Sequence, residues 1–105
     1  MTNLAPISET NLQAAVIDLA HLLGWRVAHF RPALTGGRWS TPVSADGAGF
    51  PDLVMARSGV VIFAELKSQK GRISPTQEAW LAALPHSLVW RPADWFSGAV
   101  EAALR

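Results

Sequence analysis

The stretch Ile62-Phe63-Ala64-Glu65-Leu66-Lys67, IFAELK, closes a run in which Val60, Val61, Ile62, Phe63 and Leu66 are all large apolar residues. Such a run reads as a strand buried on both faces. A carboxylate and an ammonium two positions apart at its end then need a reason, because burying one unpaired charge costs roughly several kcal/mol. Residues i and i+2 of a strand point to one side, so Glu65 and Lys67 share a face with Val61 and Phe63.

Working outward, PDLVMAR (51–57) is a short strand and Ser58-Gly59 a turn, which joins it to VVIFAELK (60–67) in a hairpin. A turn at 58–59 sets Asp52 opposite Glu65, and opposed residues have Cβ atoms about 4.5–5.5 Å apart. Two carboxylates at that separation repel unless they share a proton or a cation. A hard divalent ion resolves the conflict: Mg²⁺ or Mn²⁺ prefers oxygen ligands and takes one or two carboxylates together with substrate phosphate oxygens. Lys67 beside it can orient or help deprotonate an attacking water, or neutralise charge building on a phosphate. A Glu–Lys ladder at the edge of the sheet is the alternative reading of the pair.

Residues 9–23 read as a helix, with Leu12, Ala15, Val16, Leu19, Leu22 and Leu23 at three- and four-residue spacing and Gly24 as its stop. WRVAHFR (25–31) alternates like a strand, with Trp25, Val27 and His29 on one side. PALTGGRWSTPVSADGAG (32–49) reads as a long structureless loop, expected to be poorly ordered without a partner and functional. After the polar loop SQKGR (68–72), Ser74-Pro75-Thr76-Gln77 opens a helix with a Ser cap, Pro at the first position and Gln at the third. That helix is expected to bury Trp80, Leu81 and Leu84. SLVW (87–90) is a further strand, and one last helix from Pro92 carries the stripe Phe96, Ala99, Val100, Ala103. The order helix, three strands, helix, strand, helix predicts an α/β fold with a mixed sheet flanked by helices.

Two polar positions each carry two readings. Glu9 continues the inward stripe at the start of the first helix, where it is a third acid for the site or simply a favourable first-turn charge. Gln77 heads the stripe of the second helix, where it caps the backbone, positions a water or phosphate, or does both. Gln13 assists the site or completes a capping box with Thr10. Asp18 falls on the solvated side. His21, His29 and His86 lack metal-ligand spacing to one another and read as structural.

At 105 residues the chain fits a single domain, 1–105, and with half its residues hydrophobic and 16% charged it folds into a packed globule. With no cysteine there is neither a disulfide framework nor a thiolate zinc site. The N-terminal residues do not form a signal peptide and no apolar run reaches the length of a membrane span, so a soluble cytoplasmic domain is expected. Net charge is only +1, too small by itself to announce a nucleic-acid binder.

GFPDLV, then FAELK, then GRISPTQEAWLAAL together resemble the PD-(D/E)xK nucleases with the restriction-endonuclease-like fold, and among them the VRR-NUC family, related to Holliday-junction resolvases. The resemblance runs from SETNLQ to WRPADW. It implies a Mg²⁺- or Mn²⁺-dependent phosphodiesterase acting on DNA, structure-selective in phage or bacterial replication and repair. The family's catalytic positions fall on Asp52, Glu65 and Lys67, with Glu9 and Gln77 as the helix-borne members. Asp52, Glu65 and the carbonyl of Leu66 are the implied metal ligands. Arg31, Arg38, Lys70 and Arg72 flank the site and are expected to meet backbone phosphates. Trp39 is expected to stack on an unpaired base or to be buried beneath its loop. A domain this small invites a homodimer to embrace duplex or branched DNA. The rival readings are a catalytically silent DNA-binding module of the same fold and an interaction subunit whose five tryptophans make a protein interface.

Overall fold

The computed structural model of the chain describes residues 7–30, 33–35, 37–40 and 44–105. Helix α1, Glu9–Leu22, begins at Ser8, whose hydroxyl accepts the Asn11 N–H at 3.0 Å and supplies the N-cap. The cap is thus Ser8 rather than Thr10, and Gln13 instead lies 3.4 Å from Nδ1 of His29. Leu12, Val16 and Ala20 form its buried stripe, while Leu22, expected on that stripe, is 81% exposed. Gly24, with φ 88°, turns the chain into β1, Arg26–His29.

Strand β1 pairs antiparallel with β4, Leu53–Arg57, which pairs antiparallel with β5, Val60–Leu66. Across α2, Pro75–Ala83, the chain crosses over to β6, Ser87–Trp90, which lies parallel to β5. The result is a mixed four-stranded sheet in the order β1-β4-β5-β6 with helices on both faces, the architecture the resemblance implies. The β4–β5 turn has φ 51° at Ser58 and 82° at Gly59, the left-handed pair that a two-residue hairpin matching strand twist requires. That turn fixes the register from Arg57↔Val60 to Leu53↔Ala64, as read from the sequence. Next to the turn, however, Val60 and Val61 are 52% and 37% exposed, so β5 is buried only toward its far end.

One core fills the α1 side. Leu12, Val16 and Ala20 join Leu53, Met55, Ala64 and Leu66 in a buried cluster that Val100 and Leu104 complete. The last two belong to α4, Ala99–Leu104, which is separate from α3, Pro92–Phe96. Gly98 at φ 86° divides the single helix expected there, and Phe96 is consequently 46% exposed. The Trp25 indole N–H donates to the Leu104 carbonyl at 2.8 Å and ties α4 to the start of β1.

The stretch expected to be a structureless loop contains a second, two-stranded sheet of β2, Ala33–Thr35, and β3, Arg38–Ser40. Thr35 pairs with Arg38, so only two residues separate the strands. The remaining described part, 44–50, docks on α2. The Trp80 indole donates to the Asp46 carbonyl at 2.9 Å, and the Phe50 ring meets Trp80 edge-on at 5.0 Å, Phe30 at 5.5 Å and Phe63 at 6.0 Å. Among the described residues, no helix is long and apolar enough to cross a membrane.

Candidate active site

Because β5 alternates, Ile62, Ala64 and Leu66 enter the core while Phe63 and Glu65 face the α2 side. Asp52 stands one residue before β4, where continuing the hairpin register places it opposite Glu65. Both its polar ends are held by backbone: its carbonyl accepts the Phe30 N–H at 3.0 Å, and its Oδ2 accepts the Leu66 N–H at 2.8 Å. Gly49, three residues earlier, allows this approach. A Cβ there would lie 2.6 Å from the Thr76 carbonyl carbon and 2.8 Å from the Gln77 nitrogen, so no larger residue fits where the chain crosses the start of α2.

Glu65 is 2% exposed and is the one ionisable residue in the core among those described. Burial is the largest reason that its carboxyl is pushed up from 4.5 to about 9; the hydrogen bond and negative charge of Asp52 add to this, Lys67 opposes it, and the charge of Glu9 adds a little. At neutral pH the Glu65 carboxyl therefore keeps its proton and donates it to Asp52. This is how two close carboxylates settle when no cation stands between them.

Lys67 follows β5, half-buried, with its N–H donated to the Trp90 carbonyl at 3.0 Å. Glu9 is exposed rather than inward-facing, yet it lies near enough for its charge to act on Glu65. Gln77 serves the helix cap: its Oε1 accepts the Ser74 N–H at 2.9 Å, and its own N–H donates to Ser74 Oγ at 3.2 Å. Lys70 and Arg72 are exposed on the loop after Lys67. Arg31 and the side chains of Arg38 and Trp39 lie outside the described residues. Trp80 and Leu81, expected to be buried, are half-buried, and no residue of α2 is fully enclosed.

The donor set suits a hard divalent ion. Asp52 and Glu65 offer oxygen only, and no cysteine competes. Among the described residues no three His, Cys, Asp or Glu side chains gather in metal-holding range, so the site rests on two carboxylates. Mg²⁺ is commonly held in this way, keeping waters and substrate phosphates as its remaining ligands.

Two features escaped the sequence reading. Phe50 is the hub that joins the segment before Asp52 to α2 and β5, and Arg91 grips the loop that follows Lys67. Phe50 had a local signal, an aromatic between Gly49 and Pro51; Arg91 had none. Neither a curated protein nor a solved structure matches the chain significantly. The VRR-NUC domain model matches residues 11–90, more than half of the chain and a span that includes Asp52, Glu65 and Lys67. The chain therefore belongs to the VRR-NUC family of nuclease domains, within the PD-(D/E)xK superfamily.

Proposed function

We propose that this chain is a Mg²⁺- or Mn²⁺-dependent DNA endonuclease that prefers branched or flapped DNA and works in phage or bacterial replication and repair. One observation carries the reading: a buried Glu65 carboxyl stands against Asp52, whose Oδ2 accepts the Leu66 N–H, at the end of a core strand and beside Lys67. That arrangement is costly for the fold alone, and a divalent cation relieves it.

Asp52, Glu65 and the carbonyl of Leu66 would hold the ion. When bound, the ion supplies Lewis-acid stabilisation of the charge that builds on the scissile phosphate. The Leu66 N–H keeps the Asp52 carboxylate aimed at the site before substrate arrives. Lys67, as an ammonium, orients the attacking water and offsets phosphate charge. Glu9 and Gln77, at the starts of α1 and α2, would help to place that water. Lys70 and Arg72, with Arg31 and Arg38, contact backbone phosphates, and Trp39 stacks on an unpaired base. A homodimer would give the small domain enough reach for a branch point.

The direct test is incubation of labelled linear, flapped and four-way DNAs with Mg²⁺ and with Mn²⁺. Cleavage is expected on the branched members first, and calorimetry should show ion binding that Asp52→Asn and Glu65→Gln both weaken strongly. Lys67→Ala should still bind ion and DNA yet cleave about a hundredfold more slowly or worse. Wild-type protein that binds DNA but cleaves none of these substrates with either ion would be a binding module instead.

A further inference from the structure

An arginine beside a nuclease site is ordinarily read as a phosphate contact, but Nη1 of Arg91 is turned inward. Its Nη1 donates to the carbonyls of Ser68 at 2.8 Å and Gly71 at 2.7 Å, and the Gln69 carbonyl stands at 3.4 Å. These carbonyls belong to the loop that begins immediately after Lys67. The loop is tied back a second time by Gln69, whose Oε1 accepts the Ala93 N–H at 3.0 Å. It is also closed on itself, since the Gly71 N–H donates to the Ser68 carbonyl at 3.2 Å. At Gly71 the turn lies against the lysine: a Cβ built there would be 3.5 Å from Cδ of Lys67 and 2.9 Å from Oγ of Ser68.

We propose that Arg91 is a positioning residue for Lys67. Its guanidinium gathers the Ser68–Gly71 carbonyls into a turn that packs on the Lys67 stem and restricts where the ammonium can point. Lysine carries a flexible four-carbon chain, and a group that acts on a nucleophile must be held within about 1 Å of its productive place. The backbone of Lys67 is fixed by the Trp90 carbonyl. The side chain has no partner of that kind among the contacts described, so the turn supplies the restraint. This inference rests on the nuclease reading above.

The test compares Arg91→Ala and Arg91→Lys with wild type in cleavage, in DNA binding over a range of salt, and in amide hydrogen exchange. In Arg91→Ala, exchange across 68–71 should rise at least about tenfold while β4 and β5 stay protected. The kcat should fall about ten- to a hundredfold with KM little changed. The dependence of binding on salt should keep its slope. Lysine carries three donors that can reach the same carbonyls, so Arg91→Lys should recover most of the rate. In a Lys67→Ala background, Arg91→Ala should cost little further rate, because the group it positions has gone. Gln69→Ala, an exposed change that removes the second tether, should act in the same direction and more weakly, and it serves if Arg91→Ala does not fold.

A salt slope reduced by about one unit, with the 68–71 amides as protected as before, would make Arg91 a phosphate contact and overturn the proposal. Full kcat with the turn released would overturn it as well. Wild-type protein that cleaves no DNA sinks the nuclease reading, and hydrogen exchange then still decides whether Arg91 holds the turn.

Discussion

On the α1 side of the sheet, Leu12, Val16 and Ala20 share a core with Leu53, Met55 and Leu66, and none of the six retains accessible surface. On the α2 side, no helix residue is fully buried, and contact rests on a few points: the Trp80–Asp46 hydrogen bond, the Phe50 ring cluster and the close approach at Gly49. The acid pair faces this second side. The proposed site must admit a phosphate backbone and cannot be sealed under a helix, so the stability lost there has to come from elsewhere. The α1 face supplies that stability through apolar area, and the α2 face spends its sequence on fixing a few polar atoms.

The largest expected effect breaks this division at Glu65, the one ionisable side chain among the described residues that enters the core. Glu65 has a folded value of about 9 against 4.5 ordinarily, so between those values the folded chain holds a proton that the unfolded chain has released. Its contribution to stability is fully present below the unfolded value and is lost as pH rises through the folded one, at up to about 1.4 kcal/mol per pH unit. Thermal unfolding in chelator should therefore show stability falling from mildly acidic to alkaline pH, and Glu65→Gln should flatten that decline. Added Mg²⁺ should rescue wild type most at the alkaline end, where the ionised pair is free to bind it. Superimposable pH profiles for wild type and Glu65→Gln would mean that Glu65 is not a buried acid.

Next comes a contrast between one residue from each side. Leu12→Ala opens the α1 core and should cost about 2–5 kcal/mol in denaturant unfolding, with little change in kcat for the molecules that remain folded. Gly49→Ala forces a Cβ against the backbone of Thr76 at a φ of 85° and should cost about 1–3 kcal/mol. Here the rate should suffer more than the stability, because Asp52 lies three residues further along the displaced segment. If Gly49→Ala lowers stability while leaving cleavage untouched, the approach of this segment to α2 does not set the site.

How much of this was legible follows the same division. The hairpin register could be read because Ser58-Gly59 declares its own turn type, and with it the Asp52–Glu65 opposition. The α1 stripe could be read because periodicity reports a packed face, although Leu22 shows that the edge of a stripe is settled by what packs beside it. Two local signals were present but outweighed: Gly36-Gly37 between ALT and RWS marks a hairpin, and Ser97-Gly98 marks a helix break. Arg91 was not legible. Its role depends on carbonyls 20 to 23 residues earlier in the chain converging on one nitrogen, and no local pattern encodes that.

The smallest expected effect sharpens the comparison at the start of α2, where cap and site meet in Gln77. Ser74 Oγ accepts the Gln77 N–H, and Gln77 Oε1 accepts the Ser74 N–H, so each residue supplies half of one capping box. Removing either half should cost about 1 kcal/mol, and removing both should cost less than the sum because the halves support each other. Stability alone therefore cannot separate a cap from a catalytic aid, but cleavage can. The Oε1 of Gln77 is committed to the cap, which leaves its Nε2 amide to reach a water or phosphate. Ser74→Ala should lower the melting temperature by a few degrees, roughly, and leave kcat within about twofold. Gln77→Ala, at nearly the same stability, should slow cleavage about tenfold, the loss of one modest positioning contact. Equal rates in the two variants would confine Gln77 to the cap, and the chemistry would then rest on Asp52, Glu65 and Lys67.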